Sequence, residues 1–255
     1  MISADFHCHT RYSHDCFASV AAVIDMARHR GLTHLAITDH DAIEGALRAR
    51  DLAQDLEIIV GCEISLDGGT HLIGLFLQRR PTARTALEAV DEIHAQGGFV
   101  LLPHPFQPGA GLLRDGADEQ LLSRVDGLEV CNGFEPPERN ARAMELARAR
   151  QLPALVGSDA HYLVDVGRTC VVFPHETGAL TPDILRRAPR KLFGPAQDLS
   201  ALHLADARFR AQTGRSLRPA VPKPLRKLAK HVNWLRFQRQ VAAGCQEPLR
   251  KELDA

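Results

Sequence analysis

The chain has 255 residues, 45% of them hydrophobic and 24% charged, with 31 basic against 31 acidic side chains. That composition supports a real core, and the length suits one large barrel, or a domain with an appendage. No run of about 18 apolar residues occurs, which excludes a membrane-spanning helix. The opening MISADFHCHT enters a strand at once and leaves no room for a signal peptide. The six cysteines (Cys8, Cys16, Cys62, Cys131, Cys170 and Cys245) show no C-x-x-C pair, which argues against a zinc finger and against a secreted disulfide scaffold. The expected compartment is a reducing, bacterial-type cytoplasm.

The zero formal charge hides an asymmetry. Residues 1–185 carry 15 Lys and Arg against 26 Asp and Glu, residues 186–255 carry 16 against 5, and the two parts are therefore −11 and +11. Every lysine lies at or beyond Lys191. We therefore expect a domain over 1–185 and a basic, mainly helical extension over 186–255.

In chain order, seven apolar segments read as strands: ADFHCH, HLAIT, EIIVGCEIS, THLIGLFL, FVLLPH, GLEVCN and ALVGSD. Their near-continuous apolar character is that of strands buried on both faces. Helical patterns fall between most of them. Over 18–30, Val20, Ile24 and Ala27 share a face and Gly31 supplies the stop; PTARTALEAVDEIHAQGG and PPERNARAMELARARQ each open near a proline. Alternating strands and helices predict βα units in a parallel sheet or barrel. Between the third and fourth strands lies only Asp67-Gly68-Gly69, a hairpin turn, so the fourth strand should run antiparallel. The expected fold is α/β, a distorted barrel of seven strands.

Side chains that can hold a metal recur at the strand ends. His7 and His9 close the first strand, and Asp15 lies in the loop after it. Asp39, His40 and Asp41 follow the second strand, Glu63 the third, His104 the fifth, Asn132 the sixth, and Asp159 and His161 the seventh. In barrels of parallel βα units, the reactive groups gather at the carboxyl ends of the strands. His71 starts its strand, but a reversed fourth strand starts on that same face. The period of two in HCH sends His7 and His9 one way and Cys8 the other, as a packing residue. His14, His29, His34, His94, His175, His203 and His231 read as surface residues.

Together HCH, TDHD, GCE, PHP and SDAH, spread over about residues 3–175, resemble the PHP (polymerase and histidinol phosphatase) family. The resemblance implies a distorted (β/α)7 barrel that holds up to three divalent metals and hydrolyses phosphate esters. It is closest to the small stand-alone members that act on nucleotides or short oligonucleotides. Only some twenty residues separate His104 from the sixth strand, which is short for the insertion such members carry.

With the spacing, the resemblance implies three ions. His7, His9, Glu63 and Asp159 would hold the first; Glu63, His71 and His104 the second, with Glu63 bridging; Asp15, His40 and His161 the third. Imidazoles mixed with carboxylates suit Mn, Zn or Fe. A hydroxide held between two ions would be the nucleophile, with Glu63, Asp159, His161 and Arg168 in catalytic positions and Asp39 and Asp41 orienting His40 and its neighbours. Arg168 is the first candidate for gripping substrate phosphate, and Arg139 and Asn132 are further substrate contacts.

Over 214–240 the chain is basic, and Leu225, Leu228, Val232 and Leu235 fall at helical spacing beside Trp234 and Phe237. Packing on the acidic barrel, covering a partner subunit, and binding RNA or DNA phosphates compete for it. The expected substrate is a nucleotide, short oligonucleotide or small phosphorylated metabolite. A nuclease on longer RNA or DNA is the alternative, and a non-catalytic nucleic-acid-binding module is a third reading that the full ligand set opposes. No lysine before Lys191 offers the carbamylated bridge of the amidohydrolases.

Overall fold

The structure is a computed structural model that describes residues 1–113, 116, 118–195 and 250–254. The basic stretch 214–240 lies outside the described residues.

Among the described residues, ten strands form one sheet in the order β10-β9-β8-β1-β2-β3-β4-β5-β6-β7. The seven expected strands are β1 (Ile2–Asp5), β2 (His34–Ile37), β3 (Glu57–Ser65), β4 (His71–Leu75), β5 (Phe99–Leu102), β6 (Gly127–Asn132) and β7 (Ala154–Gly157). β2, β5 and β6 are buried along their whole length, as their unbroken apolar runs require.

Intervening helices cover the sheet. α1 (Val20–His29) starts where the Ser19 side chain accepts from the Ala22 N–H, and it buries Val20, Val23, Ile24, Met26 and Ala27. α2 (Glu44–Leu52) and α3 (Ala86–His94) follow, then the single turn α4 (Glu119–Leu122). α5 (Pro137–Arg150) opens with proline in its first turn, and Gln151 caps it in the left-handed conformation.

The Asp67–Gly69 turn reverses the chain as expected. Gly68 and Gly69 take φ of 78° and 77°, values a side chain makes costly. β4 accordingly runs antiparallel to both β3 and β5, and β5, β6 and β7 are parallel again. The turn thus brings the start of β4 to the face where the parallel strands end.

The curl brings the two ends of this seven-strand set together. Regular β1 stops at Asp5, but the extended chain beyond it bridges Cys8 to Ala160. His9 N–H donates to Ala160 O at 3.1 Å, and Asp159 N–H donates to His7 O at 2.7 Å. The result is a mixed α/β half-barrel whose seam lies at the ligand residues.

Two sequence expectations are corrected. The seventh strand is not the last: β8 (Cys170–Phe173) pairs antiparallel with β1, and β9 (Lys191–Pro195) and β10 (Arg250–Glu252) continue outward from it. TCVVF lies beyond the last ligand and has no α-helix between it and β7, so the βα rhythm does not mark it as a strand. His34 is not a surface residue: it sits buried in β2 and hydrogen-bonds Thr33 Oγ1 at 2.9 Å and Gly178 O at 3.0 Å. Strand placement overrides the polarity of a single imidazole.

β10 is tied down by Arg250. Its guanidinium donates to Gly167 O at 2.7 Å and Arg30 O at 2.6 Å and reaches Cys170 Sγ at 3.0 Å. The sheet therefore runs past the charge boundary near 185, and the chain beyond β9 returns to pair with it. The five described cysteines are free and buried. No helix among the described residues is long and apolar enough to cross a membrane.

Phe99, fully buried in β5 beneath the Arg186 guanidinium, is among the largest core side chains. Phe99→Ala should cost about 3–5 kcal/mol. Urea unfolding of the purified variant measures it, and a loss below about 1 kcal/mol would contradict the packing described.

Candidate metal centre

The ligand residues converge at the mouth of the curl. Glu63, at the end of β3 and 1% exposed, is the centre of the cluster. Its Oε2 lies 3.2 Å from His7 Nε2, 3.2 Å from His9 Nε2 and 3.4 Å from His40 Nδ1. Its Oε1 faces the other way, 2.8 Å from His71 Nδ1 and 3.0 Å from His104 Nε2. One carboxylate thus serves two sets of imidazoles.

Asp159 sits across from Glu63. Its Oδ1 is 3.3 Å from His7 Nε2, 3.2 Å from His9 Nε2 and 3.5 Å from His161 Nδ1. Asp15 Oδ2 reaches His161 Nε2 at 3.1 Å and His40 Nε2 at 3.5 Å. Donor atoms lie within 4.8 Å of one another in three groups: His7, His9, Glu63, Asp159; His9, Asp15, His40, His161; and His40, Glu63, His71. The first is the expected set. The second adds His9 to the expected third set, and the last has His40 where His104 was expected, with His104 still against Glu63 Oε1.

The backbone is bent to achieve this. His104 and Asp159 take φ of 24° and 51°, and Asp41 takes 51°. Positive φ is uncommon away from glycine, and such strain gathers at functional sites.

The donor set fits divalent cations. Glu129 engages His7 Nδ1 at 3.0 Å and Ser13 Oγ engages His9 Nδ1 at 2.9 Å. The two Nε2 atoms are left 3.1 Å apart, facing two carboxylates. A cation meets all four donors at once. Among the described residues, Asp15 Oδ1 and His104 Nδ1 are buried without a hydrogen-bond partner, which is costly for polar atoms with no other ligand.

Burial pushes His40 down to about 3 and His161 down to about 4, so both are neutral at pH 7, the form in which an imidazole can take a metal. Burial opposes protonation of His9 too, but Asp159 and Glu63 outweigh it and raise His9 to about 9. His7 is raised in the same way by Asp159, Glu63 and Glu129 against its burial. Glu63 and Asp159 stay well below the usual carboxylate range, because the imidazoles around them overcome desolvation.

Several supporting roles differ from expectation. Asp39 acts through the first loop: it accepts from Thr10 N at 2.6 Å, Thr10 Oγ1 at 2.7 Å and Ser13 N at 3.1 Å, and Ser13 Oγ in turn accepts from His40 N at 2.8 Å and engages His9 Nδ1. Asp41 instead accepts from Ser65 N at 2.9 Å. Asn132 is tied into the cluster: its Nδ2 donates to Glu129 Oε2 and Asp159 Oδ2, and its Oδ1 accepts from Phe134 N. Arg168 is not a solvated charge. It is buried, and its guanidinium meets Asp165 at 3.1 Å. Arg139, partly exposed, pairs with Glu135 at 2.9 Å. Cys8 is buried, and desolvation holds its thiol well above its ordinary value.

Glu129 and Ser13 escaped the sequence reading. For Glu129 the signal was present: it is an acid within GLEVCN, a strand with no other charge. Ser13 stands in a polar loop and offered none.

The sequence matches the PHP domain over residues 5–124 and the PHP-associated region over 137–191. The uncharacterized protein MJ1587 of Methanocaldococcus jannaschii is 32% identical over 146 residues, 52% of this chain and 83% of that protein. A 5'-3' exoribonuclease of Haemophilus influenzae is 35% identical over 88 residues, 32% of each chain. Among solved structures, a two-domain protein of Bacteroides vulgatus containing a predicted PHP-like metal-dependent phosphoesterase superposes with a TM-score of 0.57 at 19% identity, over 75% of this chain and 57% of that one. The curled sheet with an imidazole–carboxylate mouth is the frame of a hydrolase. The chain belongs to the PHP family.

The raised His9 value sets a pH dependence for protein stripped by a chelator. Folded His9 keeps a proton up to about 9, whereas an unfolded imidazole loses it near 6.5. Its contribution is fully present below about 6.5 and is lost as the pH rises through 9. Thermal melts in chelator should therefore fall between pH 6.5 and 9, and the slope should weaken in His9→Ala. A melting temperature that rises over this window would contradict the charge arrangement.

Proposed function

We propose that the protein hydrolyses a phosphate ester at this cluster, with a nucleotide, a short oligonucleotide or a small phosphorylated metabolite as substrate. The observation that carries the reading is Glu63, whose two oxygens face separate imidazole sets 2.8–3.4 Å away. Such a carboxylate is suited to bridge two cations. His7, His9, Glu63 and Asp159 would hold one ion, Glu63, His71 and His104 a second, and Asp15, His40 and His161 a third, of Mn, Zn or Fe. When bound, ions of this kind polarise phosphate oxygens and lower the pKa of water.

The chain's own groups account for the rest. His161 accepts no proton near neutrality, and its Nδ1 is taken by Asp159 O at 2.8 Å, which leaves Nε2 to face Asp15. Asp15, His161 and His71 lie towards solvent, at 12%, 13% and 20% exposure, with Asp159 at 10%, against 0–2% for His7, His9 and His104. Substrate therefore enters from the Asp15 and His71 side, and the inner imidazoles stay dry. Arg139, at the start of α5, is the cation proposed for the substrate phosphate. Arg168, buried against Asp165, would act from within the wall.

The similarity to an exoribonuclease favours a second reading, a nuclease on longer RNA. The two readings separate on chain length. A single nucleotide suffices for the first, whereas the second requires turnover to rise with strand length and to fall steeply with salt.

Release of inorganic phosphate from mononucleotides and sugar phosphates, and of nucleotides from oligonucleotides, in the presence of Mn²⁺ tests the proposal, and no hydrolysis of any class would overturn it. Glu63→Gln removes the shared charge and should lower turnover by about a thousandfold or more with an unchanged circular dichroism spectrum. Wild-type turnover with full metal content in that variant would be incompatible with a bridging role.

A further inference from the structure

β6 contributes no ligand, yet three ligands on three other segments depend on it. Glu129, 1% exposed, lies in the middle of the strand. Its Oε1 meets His7 Nδ1 at 3.0 Å. Its Oε2 accepts from His104 N at 2.8 Å and from Asn132 Nδ2 at 2.9 Å. Asn132 Nδ2 passes the link on to Asp159 Oδ2 at 3.2 Å. His7 follows β1, His104 follows β5 and Asp159 follows β7, so one carboxylate ties three edges of the mouth together.

We infer that Glu129, relayed by Asn132, is the positioning residue of the metal centre: it selects the His7 tautomer and ties the first ligand set to the second. This rests on the reading of the cluster as a metal centre. Three features support it. A carboxylate accepting at Nδ1 keeps a proton there, so Nε2 is the nitrogen that would give up its proton to a cation between Glu63 and Asp159, as ligation requires. The bond from His104 N–H holds that residue at φ 24°, a conformation that needs external support. Space has also been cleared for the contact: a Cβ on Gly157 would lie 2.2 Å from Glu129 Oε1 and 2.3 Å from His7 Cβ. Both oxygens of Glu129 are thus used as acceptors, by donors from His7, His104 and Asn132.

Glutamine cannot replace it. With its oxygen towards His7, the amide N–H₂ would confront two donors, His104 N–H and Asn132 Nδ2. With its nitrogen towards His7, the amide would donate to Nδ1 and move the imidazole proton to Nε2, where it blocks a cation. Either orientation damages ligation without changing side-chain volume.

The test measures binding of Zn²⁺ alone by competition with a chromophoric chelator, together with the visible absorption spectrum of Co²⁺-loaded protein. Glu129→Gln should weaken the tightest Zn²⁺ site by about ten- to a hundredfold and alter the Co²⁺ spectrum. A merely structural role would lower the melting temperature of chelated protein and leave both readouts unmoved. Should Glu129→Gln fail to fold, Asn132→Ala carries the test, with about tenfold weakening expected. Zn²⁺ affinity within about threefold of wild type, with an unchanged Co²⁺ spectrum, in whichever variant folds would overturn the inference. Wild-type protein that takes up no Zn²⁺ would overturn the metal-centre reading and this inference with it.

Discussion

Placing ionisable groups away from water is expensive unless each finds an opposite charge or a ligand. This fold concentrates that expense at one spot. Glu63, Asp159 and Glu129 lie with His7, His9, His40 and His104 in a mouth that is almost closed to solvent. The apolar strands around it give a rigid, water-poor wall, so the charges can be balanced only by one another or by cations. The reversed fourth strand, the left-handed backbone at His104 and Asp159, and the glycine beside His7 all serve that convergence.

Much of this was legible in the sequence. The period of two in HCH predicts that His7 and His9 share a face, and their Nε2 atoms are 3.1 Å apart. The three-residue turn at Asp67–Gly69 predicts the reversal that brings His71 to the mouth, where it meets Glu63 at 2.8 Å. These features are local: they follow from side-chain alternation and from the length of a turn.

What was not legible depends on long-range contacts. Glu129 lies 122 positions from His7 along the chain, and no spacing rule joins them. His34 shows no local sign of the Gly178 carbonyl that satisfies it. Two of the three donors to Asp39 are backbone N–H groups of another loop, which no side-chain pattern records. β8 has no α-helix between it and β7, and β10 pairs with a strand more than fifty positions back along the chain, so neither is marked by local pattern.

The seam between β1 and β7 has a kinetic consequence. It is made by His7 O with Asp159 N and by His9 N with Ala160 O, so the backbone that closes the curl belongs to the ligand residues themselves. An ion between His7, His9 and Asp159 would sit on that closure like a rivet, and its escape would require the seam to breathe. An ion held by Asp15, on a loop nearer solvent, has no such obstacle. Exchange at the mouth should therefore be graded, fast at the loop and slow at the seam, whatever the relative affinities.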